Sequence, residues 1–296
     1  IGAEGRDLTR EELIDRIQDK EGLLSLLVDD VDREVIESAP RLKIIANCAV
    51  GYNNIDLACA AEKGILVTNT PGVLTDTTAD LTWALILAAG RQLPLADRFA
   101  REGRFEGWAL DLFLGRDITG KCLGIVGMGR IGRAVALRAR AFRMETLYFD
   151  PHPLGPEEER ELEASYVPLE ALLERADIVT LHTSLTEETF HLIGESELAR
   201  MKRSAVLVNV SRGPVVDEKA LVRALKEGEI WAAGLDVFEA EPEIEPGLLA
   251  LDNVVLLPHI GSASFETRLA MAQTAARNLV AGLSGETPPN LVSYPK

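Results

Sequence analysis

Cysteine is scarce in this 296-residue chain: there are three, Cys48, Cys59 and Cys122, an odd number with no C-x-x-C spacing. That excludes a disulfide framework, offers no zinc-ligand pattern, and leads us to expect no metal site and a reducing, cytoplasmic setting. Positive charge is also in short supply. Thirty-one Lys and Arg face 47 Asp and Glu, a net charge of −16. Such a surface repels phosphate backbones and anionic bilayers, so neither nucleic acid nor membrane is an expected partner. The longest apolar stretch, Trp83–Gly90, falls far short of the roughly 20 residues of a membrane span. Repeats and low-complexity tracts are absent. Any anionic ligand must therefore meet a local site.

What is present is an ordinary globular composition, 47% hydrophobic and 26% charged, in a chain long enough for about two domains of roughly 150 residues. Short β-branched runs alternate with longer helical patterns, the rhythm of βαβ units around a parallel sheet, so the class is α/β. Early strands are expected at Lys43–Ala49 and Ile65–Asn69, with a helix from about Ile55 to Lys63 that Gly64 stops. Thr77 to about Arg101 reads as one long helix, and Gly103–Gly120 as irregular with exposed aromatics. Six strands then follow: Cys122–Val126, Thr146–Asp150, Asp177–Leu181, Ala205–Val210, Ile230–Val237 and Val254–Pro258. Helices are expected at Ile131–Phe142, Leu169–Arg175, Glu218–Glu227 and Phe265–Leu283, and the acidic run Glu157–Glu163 reads as a solvated helix face. The fold expectation is a Rossmann-like doubly wound sheet.

Gly127-Met-Gly129-Arg-Ile-Gly132 is a G-x-G-x-x-G placed between a strand and a helix, the context that turns a weak motif into a dinucleotide fingerprint. Gly127 permits the tight turn, Gly129 lets the backbone approach a pyrophosphate, and Gly132 lets the helix pack closely; Arg130 and Ile131 open that helix toward the anion. Asp150 ends the next strand, where a carboxylate accepts hydrogen bonds from the ribose hydroxyls and repels a 2′-phosphate. Residues 151–156 hold no Arg or Lys to offset it. The expected cofactor is NAD(H) in preference to NADP(H).

Hydride transfer to a carbonyl needs a proton donor, and the chain has four histidines. His152 sits between prolines and His191 in a charged segment, so both read as structural or exposed. His182 ends a strand and is placed to line the cofactor crevice. His259 follows the strand ending at Pro258, Arg212 the strand ending at Val210, and Glu241 the strand ending at Val237. All three thus leave the carboxyl edge of one sheet, where open α/β sheets bind ligands. An arginine fork suits the carboxylate and carbonyl of a 2-oxo acid, and a carboxylate bonded to a histidine favours the imidazolium, making it a proton donor.

These residues, with Val50-Gly-Tyr-Asn-Asn-Ile-Asp56, Gly124-Ile-Val-Gly-Met-Gly-Arg-Ile-Gly132, Asn209-Val-Ser-Arg-Gly213, Gly234-Leu-Asp-Val-Phe-Glu-Ala-Glu-Pro242 and Pro258-His-Ile-Gly-Ser262, make the chain one that resembles the D-isomer-specific 2-hydroxyacid dehydrogenases, particularly their glyoxylate/hydroxypyruvate reductase branch. The resemblance implies that Arg212 binds the substrate carboxylate and carbonyl and that Glu241 pairs with His259, the acid/base. It further implies that the Val50 and Gly51 amides hold the substrate carboxylate, and that Thr78, Asp236 and Val210 lie on the cofactor side. The implied architecture is a cofactor domain, residues 73–265, inserted in a smaller flavodoxin-like α/β substrate domain of residues 1–72 plus 266–296, with closure expelling water. A homodimer is implied, with Trp108 on an arm that crosses to the partner. The family begins with a strand before its first helix; here the first clear element is the helix around Thr9–Gln18, so that strand is not expected. The expected activity is NADH-dependent reduction of a small anionic 2-oxo acid, glyoxylate or hydroxypyruvate, to the D-2-hydroxy acid. Alternatives are a related dehydrogenase acting on 3-phosphoglycerate or phosphite, and a non-catalytic NAD-sensing corepressor; the chain shows neither an obvious extra basic cluster in its first 70 residues nor the long tails a corepressor would carry. Glu241 argues against a formate-type member, in which an amide stands beside the histidine.

Overall fold

The computed structural model describes residues 8–294. Backbone proximity divides it into two compact units: the described residues up to Leu74 with those from Ala263 onward, and Thr75–Ser262.

The smaller unit opens with helix α1 (Arg10–Ile17), whose N-terminus is closed by a reciprocal bond pair between Thr9 and Glu12. Strand β1 (Gly22–Ser25), helix α2 (Arg33–Glu37), strand β2 (Ile44–Asn47), helix α3 (Leu57–Lys63) and strand β3 (Leu66–Thr68) follow. Asp56 caps α3 at the Cys59 amide, and Gly64 ends it in the left-handed region at φ 70°. The three strands are parallel, in the order β1-β2-β3. The sequence reading found neither β1 nor α2: each is a run of four or five residues, too short for periodicity to show. The initial strand that the family resemblance raised would fall before Thr9, where only Leu8 is among the described residues. Among the described strands the order is sequential.

The larger unit starts with α4 (Thr75–Gly90) and α5 (Leu93–Arg101). One long helix was expected here; the chain instead breaks at Gln92, in the left-handed region at φ 54°. Pro94 explains the break, because it lacks an N–H for the helix ladder and its ring collides with the carbonyl one turn back. Residues 102–121 are irregular, and Phe105, Trp108, Leu110 and Leu114 stand exposed, Trp108 at 83%.

Seven parallel strands then build the main sheet: β4 (Cys122–Val126), β5 (Glu145–Phe149), β6 (Ala164–Tyr166), β7 (Ile178–Leu181), β8 (Val206–Asn209), β9 (Ala232–Leu235) and β10 (Val254–Leu256). Their order, β10-β9-β8-β7-β4-β5-β6, reverses between β4 and β7, which makes that pair the topological switch point of a doubly wound sheet. Six strands were expected; β6 escaped notice because it is three residues long and follows the acidic helix. The intervening helices are α6 (Arg130–Ala139), α7 (Pro156–Leu162), α8 (Leu169–Arg175), α9 (Glu195–Arg200), α10 (Glu218–Glu227) and α11 (Pro246–Leu249). The acidic helix α7 is more than a solvated face. Glu158 pairs with Arg133 at 2.5 Å, and one Glu159 oxygen accepts from the Tyr148 hydroxyl at 2.9 Å and the Tyr166 amide at 3.2 Å, tying β6 to its neighbour.

Buried side chains cover the sheet on both faces, one layer centred on Leu172, Leu173, Val179 and Leu207, the other on Ile86, Leu123, Val135 and Tyr148. The last helix, α12 (Phe265–Leu283), belongs to the smaller unit, where Gly282 lies so close to Ile44 that an added Cβ would sit 2.5 Å from its side chain. No helix among the described residues is long and apolar enough to cross a membrane.

Leu172 is fully buried and packs against Gly124 of β4. Leu172→Ala is expected to cost about 2–5 kcal/mol of stability, read as a lower urea midpoint at unchanged slope.

Candidate functional site

Six strands, β4, β5, β7, β8, β9 and β10, each deliver a candidate residue as they end. β4 runs into Gly127, whose φ of 97° is closed to most side chains and whose Cβ, if present, would lie 2.8 Å from the His182 carbonyl. Gly132 is needed for close approach, since a Cβ there would come within 2.2 Å of the Gly127 carbonyl oxygen. Gly129 is different: a Cβ would meet nothing within 4 Å, so the space in front of it is open. Gly129 caps α6 without a side-chain hydrogen bond, and the first N–H groups of a helix, here those of Arg130, Ile131 and Gly132, have no acceptor within it. Open space, exposed donors and the positive end of a helix dipole fit the pyrophosphate of a dinucleotide.

Asp150 stands at the end of β5, its carboxylate accepting from the Met128 amide at 2.8 Å and the His152 amide at 2.9 Å. It therefore fixes the glycine loop. Each oxygen retains a second lone pair. His182, just past β7, has both ring nitrogens sealed from solvent without a hydrogen-bond partner, although part of the residue's surface remains open. Burial pushes its pKa down to about 3, so the ring is neutral at ordinary pH and is not the proton donor.

Past β8, the Asn209 side chain shapes the turn that carries Arg212. Its oxygen accepts from the Ser211 amide at 3.0 Å and hydroxyl at 2.8 Å, and its nitrogen donates to the Arg212 carbonyl at 2.9 Å. The Arg212 guanidinium donates to the Ser211 carbonyl at 2.7 Å. Burial lowers its pKa while the Glu241 charge opposes that shift, leaving an arginine charged at any ordinary pH. Gly213 lies against the Phe238–Glu239 peptide; a Cβ would come within 1.9 Å of the Phe238 carbonyl. That contact brings the Arg212 turn against the loop that follows β9.

On that loop, Glu241 accepts from the Phe238 amide at 3.0 Å and from His259 Nδ1 at 2.8 Å. Burial would raise its pKa, but the His259 bond and charge, the Phe238 amide and Arg212 together hold it below the usual carboxylate value. His259 sits past β10 in the left-handed region at φ 54°, an uncommon and costly conformation for a side-chain-bearing residue that tends to collect at functional sites. With Nδ1 on Glu241, Nε2 has no partner among the described residues. The ring keeps 30% of its side-chain surface open and Glu241 35%.

Asp236 is fully buried, and its two oxygens accept from the Ile260 and Gly261 amides, each at 2.7 Å. Burial raises its pKa against those bonds and the His259 charge. In this structure it clamps the chain beyond His259, a role that sequence reasoning missed. Thr78, at the start of α4, also lies beside Gly261, its methyl 3.5 Å from an added Cβ. Val210 is buried at the end of β8. In the smaller unit, Asn69 and Asn47 donate to the Val50 and Gly51 carbonyls, both at 2.8 Å, while the two amides have no acceptor among the described residues.

Asn209 and Gly213 were not singled out from the sequence. The Asn-x-Ser spacing was a readable signal for the first, since an asparagine oxygen commonly accepts from the backbone two residues on. A recess of about 480 Å³ lined by Gln92, Arg116, Trp231 and Asp252 adjoins the amino ends of β9 and β10, the edge opposite these residues.

The site in the larger unit can thus hold a dinucleotide, bind an anion through a fixed guanidinium, and exchange a proton through a carboxylate-braced imidazole. The family model for the NAD binding domain of D-isomer specific 2-hydroxyacid dehydrogenase matches residues 83–261. A glyoxylate reductase of Korarchaeum cryptofilum is 57% identical over 289 residues, covering 96% of this chain and 86% of that protein. A solved structure from Thermus thermophilus is 47% identical with a TM-score of 0.90, covering 98% of this chain and 91% of its own. An NADPH-dependent glyoxylate/hydroxypyruvate reductase from Sinorhizobium meliloti, solved with NADP and malonate, is 36% identical with a TM-score of 0.86, covering 97% of this chain and 86% of its own.

The depressed His182 ionisation has a measurable consequence. Its ring signals are expected not to titrate between pH 5 and 8 in a histidine NMR titration, whereas an ordinary histidine would. An unfolded His182, at about pH 6.5, binds a proton that the folded one refuses, so its contribution to stability falls as pH drops from about 6.5 toward 3.

Proposed function

The chain belongs to the D-isomer specific 2-hydroxyacid dehydrogenases, and from that premise we propose that with NADH it reduces glyoxylate to glycolate and the related hydroxypyruvate to D-glycerate. The observation that carries the reading is the His259–Glu241 bond of 2.8 Å beside the partly buried Arg212. The nicotinamide, when bound, supplies hydride to the substrate's carbonyl carbon. Arg212 holds the carboxylate and carbonyl oxygen in its planar fork. His259 gives the Nε2 proton to the carbonyl oxygen as negative charge develops there. Glu241, kept ionised, holds Nδ1 and so fixes the ring with Nε2 left for the transfer. Gly127, Gly129, Gly132 and the opening of α6 cradle the pyrophosphate; Thr78, Val210, His182 and Asp236 border the nicotinamide half.

Preference for NADH rests on Asp150, whose charge opposes a 2′-phosphate, and on the nearby Arg133, already paired with Glu158. A homodimer is supported by the exposed apolar side chains of Phe105, Trp108, Leu110 and Leu114, an array that a lone subunit would leave in water. The three unpaired cysteines suit a cytoplasmic setting.

The test is NADH and NADPH oxidation, followed by absorbance, with glyoxylate, hydroxypyruvate, 3-hydroxypyruvate phosphate and pyruvate. Turnover is expected with glyoxylate and hydroxypyruvate and a higher kcat/KM for NADH. A preference for the phosphorylated acid would overturn the substrate assignment, and a preference for NADPH the role of Asp150. His259→Ala and Arg212→Ala are each expected to lose about 100- to 10,000-fold in kcat/KM while binding NADH normally. Near-normal turnover in either would remove that residue from the mechanism.

A further inference from the structure

His191 lies outside the reacting set, yet it touches two of the three segments that carry it. Its backbone N–H donates to the Pro214 carbonyl at 2.8 Å, and two residues on Ile193 donates to the Val215 carbonyl at 3.0 Å. These bonds fasten residues 191–193 alongside the turn that follows Arg212. The His191 side chain reaches the other segment, with Nε2 3.0 Å from Glu239 Oε2. Glu239 precedes Glu241 by two residues. Its second oxygen accepts from the Glu218 amide at 2.8 Å, and its own amide donates to the Glu218 carboxylate at 2.9 Å. Glu218 is buried and opens α10, so this reciprocal pair anchors the Glu241 loop to a helix rooted in the main sheet.

His191 is also held in an uncommon conformation, φ 50°, with its ring stacked on Phe190 at 4.1 Å and 18° between planes. Such a conformation persists where surrounding contacts over-determine it. The pair itself is partly exposed, 33% for His191 and 29% for Glu239, so its contribution to global stability is small. What it can set is distance. Arg212 and Glu241 approach through the Gly213 contact with Phe238–Glu239, and one residue grips that junction from both sides.

We propose that His191, through its bond to Glu239, is a positioning residue that fixes the Glu241–His259 pair relative to Arg212. The inference rests on the catalytic reading above. It assigns His191 no contact with substrate or cofactor.

The test uses the full chain and the variants His191→Ala, His191→Gln, Glu239→Gln and His191→Ala with Glu239→Gln. His191→Ala is expected to lower kcat with glyoxylate about 10- to 100-fold, the scale of a misplacement near 1 Å, with NADH binding by fluorescence unchanged and Tm shifted by a few degrees at most. His191→Gln keeps an N–H donor where Nε2 stood and is expected to recover kcat to within about threefold of the parent. The double variant is expected to be no slower than the worse single variant, because both remove one interaction. His191→Ala within twofold of the parent, or His191→Gln as slow as His191→Ala in folded protein, would overturn the proposal. Should His191→Ala fail to fold, the His191→Gln result decides alone: recovery supports the role and loss removes it.

A readout independent of turnover separates this proposal from the substrate assignment. In ¹⁵N-histidine-labelled protein, the His259 Nδ1–H signal is expected to shift or broaden in His191→Ala and to match the parent in His191→Gln. An unmoved signal in His191→Ala overturns the positioning role whatever the substrate proves to be.

Discussion

Seven parallel strands impose the constraint on which the larger unit depends. Because every strand of the main sheet points the same way, each connection must return across a face, and every segment leaving a carboxyl end emerges at one edge. Gly127, Asp150, His182, Arg212, Glu241 and His259 come from six different segments of sequence, and this single geometric rule collects them. The order reversal between β4 and β7 then opens a crevice between the glycine loop and His182, whose backbones are close enough to exclude even a methyl group at Gly127.

Within that edge, most of the polar side chains hold backbone. Asp150 grips the glycine loop, Asn209 the Arg212 turn, Asp236 the chain past His259, and Glu239 the start of α10. Each buried carboxylate or amide finds donors in a neighbouring loop, as the cost of an unpaired buried polar group requires. The consequence is an arginine and an imidazole whose supports are rigid before any ligand arrives, the arrangement that electrostatic stabilisation of a transition state needs.

Charge follows the same logic at larger scale. A chain of net charge −16 attracts no anion in general, so the donors an anion would need are gathered locally, in helix N–H groups, a partly buried guanidinium and an imidazole.

Much was legible in the residues alone. The glycine fingerprint needs only local spacing, the strands around it are long apolar runs, and helices such as Leu169–Arg175 and Glu218–Glu227 carry their own periodicity and end signals. Arg212, Glu241 and His259 could be ranked because each follows a recognisable strand. The short elements Gly22–Ser25, Arg33–Glu37 and Ala164–Tyr166 were not readable, since three to five residues hold too few repeats of any period and their stability comes from neighbours distant in sequence. The break at Gln92 was hidden by apolar continuity, although Pro94 marked it. The sequence by itself determined the fold class, the nucleotide loop and the set of candidate site side chains, because those depend on residue type and nearby spacing. The tertiary structure decided which nitrogen of His259 is free, that His182 is held neutral, that Asp236 clamps the loop beyond the histidine, and that Gly213 and His191 join the Arg212 turn to the Glu241 loop, because each of these is fixed by contacts between residues far apart along the chain.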